Sequence, residues 1–337
     1  MVAGAIVLLI LAAGALYQSI GLRRDHRSHV PPGTMVDVDG QRLHVVCAGN
    51  GSPTVLFESG IAGSSLSWTR VLRDVATFTR ACAYDRAGLG WSDPARSPLT
   101  VARLLGELRD VLAHANAAAG APCILVGHSF GAFLVYVYAS EHPAEVAGLV
   151  LLDPPSEWHE MTRRQVRMLW GGIQLSRIGG ILARFGVVRA GLALLSDGAP
   201  SVPRTFVRIF GATAARTLER LVGEVRKLPA EVHPTVQALW CQPKCFRAMA
   251  DHLGALEDTA AVVAGVRSLP DVPLVIVSSG NQSPDTIARH RALAGLSSQG
   301  RHVIAAKAGH WIQFDDPEFV VTTIRDLVER ARRSTAA

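Results

Sequence analysis

The chain has 337 residues, of which 49% are hydrophobic, and a formal net charge of +6. This length and apolar content allow one large domain or two smaller ones with a sizeable core, and the absence of an internal repeat excludes a repeat protein. The excess positive charge comes without aromatic platforms or a base-reading motif, which argues against nucleic-acid binding.

The first segment, residues 1–22, contains no charged side chain and is strongly apolar over residues 5–11. About 20 such residues span a bilayer as a helix. A cleaved signal peptide is the alternative, since Ala13-Gly14-Ala15 resembles a cleavage site, but signal peptides begin with basic residues and here the charges follow the apolar run. We therefore expect a retained membrane anchor over 1–22 and a linker over 23–33. By the positive-inside rule, the arginines after the anchor predict a cytoplasmic domain; secretion after signal cleavage is the alternative.

Short apolar runs after this linker predict strands, and apolar residues at helical spacing predict the helices between them. The strands are expected at residues 35–38, 42–48, 54–58, 80–85, 123–127, 146–152, 273–279 and 301–306. Two clear helices are expected, one over 101–114 and one that begins at Asp316-Pro317. The alternation predicts an α/β sheet.

The alternation is interrupted between about residues 154 and 264, where helical runs dominate. Residues 163–227 hold twelve arginines and lysines against three acids, together with many apolar side chains. Such a segment could lie on an anionic membrane surface. The favoured alternative is that its apolar faces pack on the sheet and on each other, with the arginines solvated.

The motif G-H-S-F-G at residues 127–131 stands between an apolar run at 123–126 and another at 132–139. A G-x-S-x-G motif at a junction of strand and helix is typical of a nucleophile elbow, which exposes a serine hydroxyl on a strained turn. Side chains at Gly127 and Gly131 would clash where strand and helix nearly touch. The pattern predicts that Ser129 is a nucleophile.

A serine hydroxyl requires a base to take its proton, and the elbow architecture supplies a histidine late in the chain. His310 follows the predicted strand at 301–306 and precedes the last helix. Other histidines lack this context, including His128, which merely precedes the serine. We therefore predict His310 as the general base; an ordinary surface-loop histidine is the alternative.

Four segments together make residues 31–337 resemble the α/β-hydrolase superfamily. They are the loop at 56–63, the turn at 84–92 (similar to D-x-x-G-x-G-x-S), the motif at 127–131 and the His310 loop. The resemblance implies an eight-stranded, mostly parallel sheet, with a core formed by 34–153 and 265–337 and a helical cap at 154–264. Serine at the elbow argues against haloalkane dehalogenase and epoxide hydrolase chemistry, since those enzymes carry a carboxylate nucleophile there.

The resemblance also implies the remaining site residues. The N–H groups of Ile61 and Phe130 would bind the oxyanion. For the acid that orients His310, relatives usually place the residue after the seventh strand, where Asp285 is the nearest acid. A Ser-Pro-Asp start of a helix explains Asp285 as well. Asp153 ends the predicted sixth strand, from which some relatives take their acid, and we favour it over Asp285.

The five cysteines are compatible with a reducing compartment but do not require one. Cys47, Cys82 and Cys123 occur in apolar strand runs and are predicted to be buried thiols. Cys241 and Cys245 are close enough in sequence to form a disulfide or half of a metal site.

The sequence thus predicts a membrane-anchored serine hydrolase that cleaves a small-molecule carboxylic ester through an acyl-enzyme, without cofactor or metal. The anchor and the apolar cap favour a lipid-like acyl chain and contact with membrane lipid. Alternatives are an amide, lactone or carbon–carbon bond hydrolase with the same residues, and a non-catalytic ligand-binding member of the fold. Oligomeric state is not decided by the sequence.

Overall fold

The computed structural model of the chain describes residues 2–115, 122–155, 162–196, 223–266, 269 and 271–336. Eight strands form one sheet in the order β1-β2-β4-β3-β5-β6-β7-β8. The strands are β1 (Thr34–Val38), β2 (Gln41–Ala48), β3 (Val55–Glu58), β4 (Ala81–Tyr84), β5 (Cys123–His128), β6 (Val146–Leu152), β7 (Leu274–Ser279) and β8 (Gly300–Ala305). Only the β1–β2 and β2–β4 pairs are antiparallel. The predicted eight-stranded, mostly parallel sheet is therefore confirmed.

Helices connect the strands and form the segment between β6 and β7. They are α1 (Val2–Ser28), α2 (Thr69–Val75), α3 (Val101–Ala115), α4 (Phe130–Glu141), α5 (Arg163–Arg184), α6 (Val187–Ser196), α7 (His233–Trp240), α8 (Pro243–Gly254), α9 (Leu256–Gly265), α10 (Pro284–Ala294), α11 (Ile312–Asp315) and α12 (Pro317–Ala336). The two helices predicted from apolar spacing are confirmed as α3 and α12. Asp316 caps α12 by accepting the N–H of Phe319 at 3.2 Å.

Apolar side chains cover both faces of the sheet. On one face α3 and α4 pack with Leu108 and Phe133 fully buried. On the other face α2 and α12 contribute Val71 and Ile324. The central parallel strands are consequently buried on both sides, which explains why they appear in the sequence as continuous apolar runs rather than alternating ones.

Strand order decides which loops meet. β5 lies between β3 and β6, and β6 pairs with β7. Because the carboxyl ends of parallel strands meet at one edge of the sheet, the residues that follow these four strands and β8 are brought together there.

The segment between β6 and β7 is helical in its described part, residues 162–196 and 223–266. Helix α5 packs closely on α8, and a Cβ built on Gly179 would lie 2.5 Å from the ring of Phe246. Residues 156–161 and 197–222 of the predicted cap lie outside the described residues. Several apolar side chains of α5 point outward, with Trp170 64% and Ile181 55% exposed. The expectation that the apolar faces of this segment are packed is therefore wrong for this side of α5.

Helix α1 is long and apolar enough to cross a membrane, with a mean hydropathy of 2.1 over its most apolar window; a signal sequence would meet the same criterion. It continues to Ser28, beyond the start of the predicted linker at residue 23. Its second half contacts the rest of the chain. Gln18 is buried and donates to the carbonyl of Cys241 at 2.8 Å, and Asp25 pairs with Arg189 at 2.5 Å.

The prediction of free thiols at Cys47 and Cys82 is wrong, because these two residues form a disulfide. They are direct partners across the antiparallel β2–β4 pair, with Cα atoms 4.1 Å apart. Cys123 is a buried thiol outside any disulfide, as expected, and Cys241 and Cys245 are also buried and do not pair with each other. Pairing across two strands far apart in sequence depends on register, which the local apolar pattern does not contain.

Candidate functional site

The turn between β5 and α4 places Ser129 at the carboxyl edge of the sheet. Its backbone has φ 52° and ψ −121°, a conformation that non-glycine residues adopt rarely and at a cost. Both flanking glycines are required sterically, as predicted. A Cβ on Gly127 would lie 2.6 Å from Cα of Ala132, and one on Gly131 would lie 2.5 Å from the carbonyl oxygens of Glu58 and Ser59.

His310 connects Ser129 to Asp153. The Nε2 atom of His310 lies 3.1 Å from Oγ of Ser129, and its Nδ1 lies 2.7 Å from Oδ2 of Asp153. Since a carboxylate only accepts, Nδ1 carries the proton and Nε2 is free to accept from the serine hydroxyl. Asp153 follows β6 and is buried, whereas 44% of the His310 side chain is exposed.

The other acid considered, Asp285, does not meet His310 in this structure. It is exposed in the first turn of α10, where Ser283 is the N-cap and accepts the N–H of Thr286 at 3.1 Å. The structure therefore brings Asp153, and not Asp285, to the histidine. Asp285 has the position of an acid favoured by the positive end of a helix dipole.

Four donors surround the Asp153 carboxylate. Besides His310, it accepts the N–H of Ser279 at 3.0 Å, the Ser279 hydroxyl at 3.3 Å, and the side-chain amide of Gln282 at 2.8 and 2.9 Å. Burial alone raises the pKa of Asp153, but the hydrogen bonds from His310, Ser279 and Gln282 outweigh it and leave the pKa below its ordinary value. The carboxylate is thus ionised at neutral pH. Ser279 and Gln282 were missed by the sequence reasoning, although their place at and just after the end of the predicted strand 273–279 was an available signal.

His128, to which the sequence context assigns no role, is also part of this arrangement. Its Nε2 lies 2.8 Å from the carbonyl oxygen of His310 and donates to it. Burial, followed by the proximity of His310, lowers the pKa of His128 to about 3. His128 therefore stays neutral and holds the backbone at His310.

The loop after β3 lies against the turn that carries Ser129. A Cβ on Gly60 would lie 3.3 Å from Cβ of Ser129, so this loop brings Ile61 to the site. Ser59 fixes the loop by accepting from the Trp68 indole at 2.9 Å and donating to the carbonyl of Ser64 at 3.1 Å. Phe130 is the first residue of α4, where a backbone N–H has no acceptor within the helix.

An ionised carboxylate, a histidine with its Nδ1–H fixed and a serine on a strained turn can together perform nucleophilic chemistry. The histidine can take the hydroxyl proton as the serine attacks, and the carboxylate stabilises the imidazolium that forms. Within the part of the chain that the structure describes, no group of three or more histidine, cysteine or acidic residues is placed to hold a metal ion.

The sequence profile of the Alpha/beta hydrolase family matches residues 55–323. Among individual relatives, the uncharacterized protein YqjL of Bacillus subtilis (strain 168) is 29% identical over 143 residues, which are 39% of this chain and 56% of YqjL. Epoxide hydrolase 3 of Mus musculus is 32% identical over 132 residues, which are 38% of this chain and 34% of that protein. Both matches cover less than two thirds of the relative's length.

Solved structures show the same architecture. The enol-lactonase from Burkholderia xenovorans LB400 superimposes with a TM-score of 0.60 at 17% identity, covering 88% of this chain and all of the lactonase chain. At this identity the similarity concerns the fold alone.

Proposed function

Because the chain belongs to the α/β-hydrolase family, we propose that it is a serine hydrolase that cleaves a carboxylic ester through an acyl-enzyme on Ser129. The observation that carries the proposal is the hydrogen-bonded series from Asp153 through His310 to the Ser129 hydroxyl. An acid, a base and a nucleophile in this order form the constellation of acyl transfer.

In the proposed reaction, Ser129 Oγ attacks the ester carbonyl carbon while Nε2 of His310 takes the hydroxyl proton. The N–H groups of Ile61 and Phe130 bind the oxyanion of the tetrahedral intermediate. Collapse of the intermediate expels the alcohol, which receives the proton from His310, and leaves the acyl group on Ser129. Water then attacks the acyl group, with His310 as its base, and releases the carboxylic acid. Asp153 keeps the imidazole in the required tautomer throughout.

Epoxide opening is the second candidate, favoured by the similarity to a protein named epoxide hydrolase 3. Ser129 argues against epoxide opening, because epoxide hydrolases of this fold carry a carboxylate nucleophile at the elbow. Turnover of epoxides but not of esters by the purified protein would favour epoxide opening over ester cleavage.

We further propose that α1 anchors the protein in a membrane and that the ester carries an apolar or lipid-like acyl chain. The outward apolar side chains of α5, such as Trp170 and Ile181, are consistent with a lipid surface beside the anchor. The Cys47–Cys82 disulfide favours an oxidising compartment for the domain, in contrast to the cytoplasmic location expected from the arginines after α1.

Labelling by a fluorophosphonate probe, together with turnover of esters of graded chain length, tests the proposal. We expect Ser129→Ala to abolish labelling, and Asp153→Asn to lower kcat on the order of 10³–10⁴-fold by allowing the wrong histidine tautomer. Asp285→Asn is the matched control and should retain wild-type turnover. Absence of both labelling and turnover in folded wild-type protein would contradict the proposal and favour a ligand-binding protein. A preference for short, soluble esters would contradict the lipid-like substrate.

A further inference from the structure

A buried arginine lies beneath the loop that carries Ile61. Arg86 follows β4, and only 2% of its surface is exposed. Its guanidinium forms an ion pair with Glu58 and also donates to the carbonyl oxygens of Ser59 and Gly60. Its Nε donates to Nε2 of His252, in helix α8, at 2.9 Å. One side chain thus joins β3, the loop after it and a helix of the segment between β6 and β7.

The Gly60 carbonyl accepts from Arg86 and also from the N–H of Gly63 at 3.1 Å, and these bonds determine the direction of the next N–H group. The peptide between Gly60 and Ile61 is trans, and in a trans peptide the C=O and the following N–H point in opposite directions. Arg86 holds the Gly60 carbonyl on the buried side of the loop, so the N–H of Ile61 is turned away from Arg86. Because Gly60 lies beside Ser129, this orientation decides whether the Ile61 N–H can act as an oxyanion donor.

Arg86 also contacts the residue that carries the second N–H donor. Its guanidinium carbon lies 5.5 Å from the ring centroid of Phe130, and the His252 ring meets the same aromatic ring edge-on at 5.8 Å. His252 is itself fixed, since its Nδ1 donates to the carbonyl of Ala248 at 2.6 Å and leaves Nε2 as the acceptor for Arg86.

We propose that Arg86 is a positioning residue that aligns the N–H groups of Ile61 and Phe130 for the oxyanion, and that His252 ties this alignment to α8. The inference rests on the proposed serine-hydrolase function. A guanidinium is required because its planar fork can donate to Glu58, two carbonyl oxygens and His252 at once. The compact ammonium of a lysine cannot satisfy these acceptors in the same geometry, so Arg86→Lys keeps the charge and loses the alignment.

The test compares wild type, Arg86→Lys and Arg103→Lys. Arg103, in α3, is a matched control because it is a mostly buried arginine that pairs with Glu107 at 2.8 Å, outside the proposed site. The readouts are kcat per Ser129 titrated with fluorophosphonate, KM, and the inhibition constant of a trifluoromethyl ketone, whose adduct carries a tetrahedral oxyanion. We expect Arg86→Lys to lower kcat about tenfold or more and to raise the inhibition constant of the ketone by a similar factor. KM should stay within about twofold, and Arg103→Lys should match wild type.

A loss of kcat without weaker ketone binding would indicate a merely structural role and overturn the inference. If Arg86→Lys does not fold, His252→Leu is tested in its place, because it removes the side chain that accepts from Nε of Arg86. In this variant kcat and the affinity for the ketone should fall together. Wild-type values in folded Arg86→Lys, or in His252→Leu in its place, would also overturn it. Turnover that survives in Ser129→Ala would overturn the proposed function instead, so the two failures are distinguishable.

Discussion

At the scale of single residues, two buried histidines link the stability of the protein to pH. Burial lowers the pKa values of His128 and His252 to about 3, whereas an unfolded histidine titrates near pH 6.5. Between these values the unfolded chain binds protons that the native protein does not, so stability falls as the pH drops. We expect the free energy of unfolding to decrease below pH 6.5 by at most about 1.4 kcal/mol per pH unit for each histidine.

Urea unfolding between pH 5 and pH 7.5 measures this dependence. His128→Gln keeps a donor for the His310 carbonyl. It should reduce the slope of the free energy of unfolding against pH by the contribution of one histidine. His114→Gln, at an exposed position in α3, is the matched substitution that controls for the change from histidine to glutamine. An equal slope in wild type and His128→Gln would show that His128 does not stay neutral in the native protein.

At the scale of elements, the junction of β5, α4 and the loop after β3 depends on glycine. A Cβ on Gly131 would lie 2.5 Å from the carbonyl oxygens of Glu58, the last residue of β3, and Ser59 in that loop, and backbone cannot move as a flexible side chain does. We therefore expect Gly131→Ala to destabilise the protein by about 3 kcal/mol or to prevent folding, by overpacking and by separating the strand from the helix. Thermal and urea unfolding of the purified variant measure the effect.

The control for this substitution is Gly106→Ala in helix α3. Nothing lies within 4 Å of a Cβ built on Gly106, so alanine should stabilise the helix by about 0.5–1 kcal/mol. Both substitutions replace glycine with alanine, so a loss of stability at Gly131 and a gain at Gly106 would show that the loss comes from the close packing at the elbow. A Gly131→Ala protein as stable as wild type would mean that strand and helix are not in close contact there.

At the scale of the whole molecule, α1 decides where the protein resides. If the helix is a retained anchor, the mature protein contains residues 1–22 and needs detergent for extraction; if it is a signal sequence, the chain starts near residue 16. We expect retention, because signal peptides begin with basic residues and here the charged residues follow the apolar run. Intact mass of protein purified from membranes distinguishes the two.

The same mass measurement tests the compartment. In protein isolated with its thiols blocked, a reduced Cys47–Cys82 pair gains two blocking groups, whereas the disulfide gains none and lacks two hydrogen atoms. We expect the mass of the disulfide form. The control is the Cys47→Ser/Cys82→Ser double variant, which cannot form this disulfide and therefore cannot show the mass difference. A reduced pair in freshly isolated wild type would instead favour the cytoplasmic side predicted by the positive-inside rule.

Much of the fold could be predicted because its signals are local. The apolar runs of the central strands arise from burial on both faces of the sheet. The elbow glycines are required by neighbours within a few residues along the chain and in the adjoining loop. The serine and the late histidine belong to a pattern with a fixed order, so the sequence alone predicts Ser129 and His310, whose Oγ and Nε2 atoms lie 3.1 Å apart.

Other features were decided only by tertiary structure. The sequence favours Asp153 over Asp285 without deciding between them, whereas the neighbouring positions of β6 and β7 place Ser279 and Gln282 around Asp153 while Asp285 faces solvent. The register of β2 against β4 joined Cys47 to Cys82, which apolar patterns had indicated as free thiols. Such contacts join residues far apart in the chain. They depend on strand order and register, which hydrophobic periodicity along one strand does not specify.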